Sequence, residues 1–505
     1  MSWRTARAAA AAADSGSSQT PAMQLKSLAA VTALGLASVS PAVADTTTTI
    51  DPTSNRGTWE GWGTSLAWWA RRFGTRDDLA DIFFTTKTTA FAGANLPGLG
   101  FNIVRHNAGA SSWNSVGGES MVVSPRMMPS RQIEGHWVDW YSSDPASASW
   151  RWDVDASQRT MTQKAKSRGA NRFELFSNSP MWWMTKNHNP SGAADGSENI
   201  QSWNLQQHAV YMATIAKYAK DNWGITFESV EPFNEPTANW WKADGTQEGC
   251  HIDVATQATI ISALRTELNN RGLNSMTIAA SDESYYDQAA ATLRGLGDAA
   301  LRNIARVNVH GYQYGDGQRD QVFDLASARG LRLWNSEYGE SDATGEQLVS
   351  NLILDFRWLR PTGWVYWQVL DGGGWGLIDA DNEAGTVGAA NQKYFVLAQF
   401  ARHIREGMRI LDGGSDNVVA AYDAVQSKLV IVAINWGNAQ YLNFDLSRFT
   451  QASTDGALVT RWRTQVGSGD RYVQVTDDTR MSGTRFWSWF ESKMVQTFEV
   501  NNVKL

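Results

Sequence analysis

The strongest constraint on this chain is an alternation of apolar, strand-like runs with amphipathic helical stretches, sustained from residue 57 to residue 404. Strand candidates lie at 57–69, 99–109, 172–177, 226–233, 276–283, 305–312, 331–339 and 363–371. Helical periodicity falls between them at 158–168, 206–220, 254–270, 286–296, 320–329 and 345–359, and a last helix is expected at 392–404. Eight strand–helix units predict an α/β fold of the (β/α)8, or TIM, barrel type, in which functional groups gather at the C-terminal ends of the strands. A doubly wound open sheet competes, but the chain carries neither a Gly-x-Gly-x-x-Gly turn nor a phosphate loop to organise one.

Past residue 404 the pattern changes to short strands separated by turn residues, at 418–423, 428–436, 439–446, 457–464, 471–476, 484–490 and 494–500. This predicts an attached C-terminal β-sandwich, as expected of a chain of 505 residues, too long for one growing core. The expected organisation is an extension and leader at 1–44, a strand at 45–57 that returns to the sandwich, a barrel at 58–404 and the sandwich at 405–505. The leader begins at Met23, with Lys26, an apolar stretch and a small-residue cleavage site at Ala42-Val43-Ala44, so a secreted, extracellular protein is expected, whether translation starts at Met1 or Met23. The lone Cys250 permits no intramolecular disulfide. A net charge of −7 without a basic block argues against nucleic acid, and no apolar run is long enough to span a membrane. The seven histidines show no metal-ligand spacing, so neither a metal nor a cofactor is expected; a monomer is.

Two strand ends carry the chemistry. The fourth closes in EPFNEP, residues 231–236, and the seventh in LWNSEYG, residues 333–339. In a barrel these ends face each other across the mouth, so Glu235 and Glu337 could flank one sugar; retaining glycoside hydrolysis needs two carboxyl groups about 5–5.5 Å apart. Glu231 shares strand parity with Glu235, and either could point inward. Glu340 competes with Glu337 but lies in the loop, where a solvated side chain is expected. Arg105 ends the second strand as either a functional or a structural ion pair, and His310 reads as a catalytic histidine or as packing at the mouth. Among 25 tryptophans, Trp113, Trp182, Trp183, Trp240 and Trp241 follow strand ends and are candidates for stacking on sugars. Gly372 to Gly374 would let the backbone approach a ligand closely.

The Asn234-Glu235-Pro236 triplet, Glu337 and the aromatic strand-eight end Trp367 resemble the retaining β-glycosidases built on (β/α)8 barrels. With an attached sandwich, the chain resembles glycoside hydrolase family 30. The stretches GWGTSLAWWA, FNIVRHNAGASSWN, SNSPMWWMTKN and VEPFNEP are most similar to its fungal endo-β-1,6-galactanases. The resemblance implies that Glu235 is the acid/base, that Glu337 is the nucleophile, and that Asn234 bonds the sugar 2-hydroxyl. It implies too that Arg105 and Tyr312 hold the nucleophile ionised, an adjacent cation lowering its pKa. The implied substrate is the β-1,6-galactan of arabinogalactan. β-1,6-Glucan or xylan, or a catalytically inactive carbohydrate-binding role, are the alternatives.

Overall fold

The computed structural model describes residues 46–476 and 479–505, so the expected leader lies outside the described residues. Eight parallel strands close into a barrel in chain order: Gly61–Ser65, Ile103–Asn107, Arg172–Phe176, Ser229–Glu231, Thr277–Glu283, Arg306–His310, Arg332–Tyr338 and Gly363–Tyr366, the eighth pairing with the first. Parallel neighbours require crossover connections, and the helices Ala156–Ser167, Leu205–Tyr218, Val254–Asn270, Tyr286–Gly295, Arg319–Ser327 and Glu346–Leu354 lie within them. The periodicity that predicted a barrel is thus realised unit by unit.

The departures are at the ends of the first and last strands. The stretch expected as one strand at 57–69 yields only Gly61–Ser65 before the helix Trp69–Phe73. The crossover after it holds the helix Asp77–Phe84 and a hairpin of Thr88–Phe91 with Ala94–Pro97, none of which the apolar pattern signalled. The run expected at 363–371 leaves the barrel after Tyr366. Gln368 there accepts the Trp68 backbone N–H at 3.1 Å and donates to Asp371 at 2.6 Å, and Leu370–Asp371 joins a separate small sheet with Ile378–Asp381 and Thr386–Ala390.

The C-terminal sheets explain why 428–435 reads as a continuous apolar run. A six-stranded sheet, in the order Arg409–Leu411, Val418–Asp423, Lys428–Asn435, Met494–Val500, Thr460–Gln465, Val473–Val475, lies against a three-stranded sheet of Thr46–Thr49, Gln440–Asp445 and Arg485–Phe490. Successive strand residues point to opposite faces. Ala420, Tyr422, Leu429, Ile431 and Ala433 meet Phe444, Phe486 and Phe498 between the sheets. Val419, Ala421, Val430, Val432 and Ile434 join the same apolar core as the barrel residues. Polar contacts reinforce that second face: Gln399, on the helix Gln392–Ala401, donates to Thr464 at 2.8 Å, and Thr497 donates to the Gln399 carbonyl at 2.8 Å. Thr46–Thr49 pairs parallel with Gln440–Asp445, which brings the start of the described chain onto the C-terminal sheet.

Because one core spans both regions and the described residues belong to one compact unit, calorimetry should show a single cooperative unfolding transition. Val432→Ala, which removes side-chain volume on the barrel-facing side of the sheet, should lower the whole transition by a cost on the order of 1–3 kcal/mol. Two resolved endotherms, with only one moved by the substitution, would show that barrel and sandwich unfold separately.

Candidate active site

Arg105 organises the barrel interior. Its side chain has no exposed surface, so its charge must be met inside the protein. Nε donates to Glu174 on the third strand at 2.9 Å, Nη1 to Glu337 at 3.1 Å and to the Ser336 carbonyl at 3.1 Å, and Nη2 to Asp282 on the fifth strand. Its guanidinium lies over the Phe176 ring at 4.2 Å. Below it Arg306 pairs with the other Glu174 oxygen and stacks on Trp334, while Ser229 and Asn308 also donate to Glu174. These residues come from one face of each strand: Arg105; Glu174; Ser229 and Glu231; Arg306, Asn308 and His310.

Two irregularities re-aim the strand ends. On the seventh strand Trp334 and Ser336 point into the barrel, whereas Asn335 reaches outward to Asp355 at 2.6 Å. Simple alternation would send Glu337 outward with Asn335. Instead the register shifts at this point so that His310 pairs with Glu337, and the bulge turns Glu337 into the mouth. The fifth strand shifts likewise between Ser281 and Glu283, freeing Asp282 to face Arg105 while Glu283 accepts from Thr292 and Thr237.

Glu235 sits beyond the fourth strand with φ of 47°, in the left-handed region that costs energy for a residue bearing a Cβ. Its backbone N–H donates to the Asp282 carbonyl at 2.8 Å, and Trp241 Nε1 donates to its carbonyl at 2.9 Å. Its carboxylate accepts from Trp240 Nε1 at 3.1 Å and lies 3.3 Å from His310 Nδ1. Tyr312 donates to Glu337 at 2.8 Å. One oxygen each of Glu235 and Glu337 and a ring nitrogen of His310 lie within 4.8 Å of one another. The trio could ligate a cation, but Arg105 and His310 already supply positive charge there.

The electrostatics follow from burial and contact. Burial alone would depress the His310 imidazole, but Glu337 and Asp282 outweigh it and raise the group to about 10. Burial pushes Glu337 up to about 7 against the opposing pull of His310 and Arg105. The adjacent cations thus act in the direction anticipated for Arg105, but they do not return the carboxyl to its ordinary range. Asp282 is buried too, yet Arg105 and His310 hold it well below the usual carboxylate range. Glu231 is fully buried, neither of its oxygens has a hydrogen-bond partner, and burial with Asp282 and Glu174 nearby drives it well above that range. Two guanidinium groups and one imidazole ring therefore face Glu174, Asp282 and Glu337, with the Glu231 carboxyl, pushed upward, beneath them.

The tryptophan candidates separate sharply. Trp113 is 55% exposed and Trp240 37%, whereas Trp241 is buried. Trp182 and Trp183 are also buried, with their indole N–H groups donating to Ser112 at 2.6 Å and the Trp137 carbonyl at 2.7 Å; packing uses both rings, so neither is presented to a ligand. Trp367 is nearly buried, edge-on to Trp68. Asn234 is 4% exposed and its Oδ1 has no partner, which leaves an acceptor beside Glu235. Glu340, expected in solvent, is instead buried and bonded by Lys393 Nζ at 2.8 Å, because the strand-seven loop folds down onto the helix Gln392–Ala401. The glycines at 372–374 serve a turn: a Cβ on Gly374 would lie 2.4 Å from the Ser341 carbonyl, so the close approach is to the chain itself.

Sequence reading missed Glu174, Asp282 and Arg306. The available signal was a charged residue inside an apolar strand, as in RFELF and ARVNVH, which must find a buried partner. It also missed the exposed Trp140, Tyr141 and Trp375, the last packed over Gly339 just beyond Glu337.

Paired carboxylates at facing ends of barrel strands define the class of glycoside hydrolases. The model of O-glycosyl hydrolase family 30 matches residues 45–299. An endo-beta-1,6-galactanase of Hypocrea rufa is 60% identical over 462 residues, covering 92% of this chain and 96% of that protein. An exo-beta-1,6-galactobiohydrolase of Bifidobacterium longum subsp. longum is 23% identical over 83% of this chain, which spans only 36% of that longer protein. The fold matches a solved family 30 subfamily 8 xylanase from Clostridium acetobutylicum, with a TM-score of 0.66 at 19% identity, over 90% of this chain and 99% of that one. The chain belongs to glycoside hydrolase family 30.

Removing the Tyr312 hydroxyl takes a hydrogen bond from the anionic form of Glu337 and so raises its pKa. Tyr312→Phe should lower kcat/KM for glycan hydrolysis by roughly 10- to 150-fold, the equivalent of about 1.5–3 kcal/mol for a bond to a charged group. It should also shift the acid limb of the kcat/KM profile to higher pH. An unmoved limb would show that the hydroxyl does not act on Glu337.

Proposed function

We propose that this chain is a secreted enzyme that cleaves β-1,6-galactan internally, with retention of anomeric configuration, after removal of a leader ending at Ala44. The observation that carries the retaining reading is that one carboxylate oxygen of Glu235 lies within 4.8 Å of one carboxylate oxygen of Glu337. That separation fits a nucleophile and an acid/base; an inverting pair stands about 6.5–9.5 Å apart to admit a water. The choice of substrate rests on the galactanase relative at 60% identity.

In this reading Glu337, oriented by Arg105 and Tyr312, attacks the anomeric carbon while Glu235 passes its proton to the departing glycosidic oxygen. Glu235 then takes a proton from water as that water displaces Glu337. Asn234 Oδ1, which has no partner within the protein, accepts from a hydroxyl of the sugar at the cleavage point. Trp113, Trp140, Tyr141, Trp240 and Trp375, each at least 36% exposed, offer ring faces on which further sugar units can stack. Among the described residues no helix is long and apolar enough to cross a membrane.

Azide rescue assigns the two roles. With an aryl β-galactobioside bearing an activated leaving group, Glu337→Gly should lose turnover by orders of magnitude and, with azide, give the α-glycosyl azide. Glu235→Ala should give the β-glycosyl azide. The opposite pairing of products would reverse the assignment. On polysaccharides, β-1,6-galactan should release a ladder of oligosaccharides early in the reaction. Cleavage of β-1,6-glucan or xylan alone, or release of a single small product from the outset, would refute the substrate or the endo reading respectively.

A further inference from the structure

The strand Arg485–Phe490, read as RFWSWF, alternates with the period of a sheet, and both of its tryptophans fall on the outward face. Phe486, Ser488 and Phe490 are buried in the sandwich, whereas Trp487 and Trp489 are 50% and 45% exposed. On the neighbouring strand Gln440–Asp445, Leu442 and Phe444 point inward and Tyr441, 43% exposed, points out. The antiparallel register sets Tyr441 opposite Trp489, with ring centroids 5.1 Å apart, and Asn443 opposite Trp487. Thr47 pairs with Asn443 on the other side and accepts from its Nδ2 at 3.4 Å. Three large rings thus share one outward face of the sheet, and a cluster of this kind marks a binding surface.

The side chains between the rings decide the occupant. Thr47, Thr49, Asn443, Asp445 and Arg485 hold the remaining positions of that face, and among the described residues no aliphatic side chain joins them. Arg485 pairs with Asp445 at 3.0 Å, and Glu491 accepts from Trp489 Nε1 at 2.8 Å. An apolar partner would strip water from these polar groups without replacing its hydrogen bonds, and an ionic partner would have to break the pair. A neutral sugar chain meets both demands, its hydroxyls bonding the polar groups while its C–H face lies on the rings. Galactose suits such rings, because its axial 4-hydroxyl projects on one side and leaves C3–H, C4–H and C5–H together on the other.

The face is also tied to the catalytic end. Asn435 donates to the Asn438 carbonyl at 2.8 Å and the Glu491 carbonyl at 3.2 Å and accepts from Gln440 Nε2 at 2.8 Å, which fixes the turn at 435–440 beside the end of the tryptophan strand. Trp436 in that turn lines a cavity of about 380 Å³ together with Tyr314, Gly315 and Glu346 of the barrel. Tyr314 donates to the Gly339 carbonyl at 3.2 Å, just beyond Glu337.

We propose that the outward face carrying Tyr441, Trp487 and Trp489 is a second, non-catalytic binding surface for β-1,6-galactan, holding one stretch of the polymer while the barrel cleaves another. This rests on the substrate reading above. Because sheet and barrel share one core, a chain held on the face is kept at a raised local concentration near the mouth.

Trp487 and Trp489 project into solvent, so replacing both with alanine should leave the unfolding transition in place. On polymeric β-1,6-galactan, KM for the Trp487→Ala, Trp489→Ala variant should rise by roughly 10- to 100-fold with kcat unchanged, reaching the lower range of what two linked sites gain over one. On an aryl β-galactobioside, which occupies only the mouth, both constants should stay as in the wild type. An unmoved KM on the polymer would overturn the proposal. So would an equal loss on both substrates, which would mean that the rings act by supporting the barrel.

A second measurement needs no turnover. In native gels containing β-1,6-galactan, Glu337→Gly protein should be retarded, and far less so once Trp487→Ala and Trp489→Ala are added; equal retardation would overturn the proposal. Sedimentation tests the rival occupant: a wild type that self-associates, beside a monomeric double variant, would give the face to a second copy and overturn it as well. Failure of the substrate reading shows separately, in a wild type that leaves β-1,6-galactan uncleaved.

Discussion

Arg105 carries a permanent charge to the centre of the barrel, and carboxylates from the third, fifth and seventh strands surround it. Placing ions there is costly, because desolvation takes several kcal/mol per group and is recovered only when every partner is in position. The cluster therefore demands a particular register of four strands at once. Glu337 is held by Arg105 through Nη1 while the same nitrogen bonds the Ser336 carbonyl, so the guanidinium fixes both the side chain and the backbone of the bulge that presents it. Removing one partner would leave another charge buried and unmatched, which typically costs about 3–5 kcal/mol.

The same arrangement separates the carboxyl groups by environment. Asp282 sits between Arg105 and His310, which pull it down against its burial; Glu231 lies beneath with no donor and is pushed up by burial; Glu337 is drawn upward by burial and downward by His310 and Arg105. Carboxyl groups of identical intrinsic chemistry acquire different proton affinities within one barrel mouth, which is how a site divides nucleophile from bystander. Around this centre the loops do a different task. Glu340 and Lys393 pin the strand-seven loop to the last barrel helix, and the helix in turn bonds the C-terminal sheet through Gln399, so the sheet buttresses the side of the barrel that carries Glu337.

The alternation of apolar strand and amphipathic helix was enough to specify an eight-stranded barrel, because parallel strands buried on both faces leave a strong periodic signal. It also placed Glu235 and Glu337 at facing strand ends. The continuous apolar run at 428–435 carried a subtler message: both of its faces are buried, one between sheets and one against the barrel. The small sheet after strand eight and the hairpin at 88–97 escaped notice, since strands of two to five residues held by loop contacts have too little periodicity to read.

What the sequence determined by itself was element order and the residue types available at each strand end, for these follow from local pattern. What only the tertiary structure decided was direction. Parity along the seventh strand sends Glu337 outward with Asn335, and the bulge beside Ser336 brings it in. Trp182 and Trp183 follow a strand end just as Trp240 does, yet their indole nitrogens are engaged inside the fold while Trp240 remains at the mouth beside Glu235. Glu340 is one turn of chain from Glu337 and ends in a buried ion pair. In each case the outcome depends on a partner far away in sequence, Arg105, Ser112 or Lys393, whose position exists only once the barrel has closed.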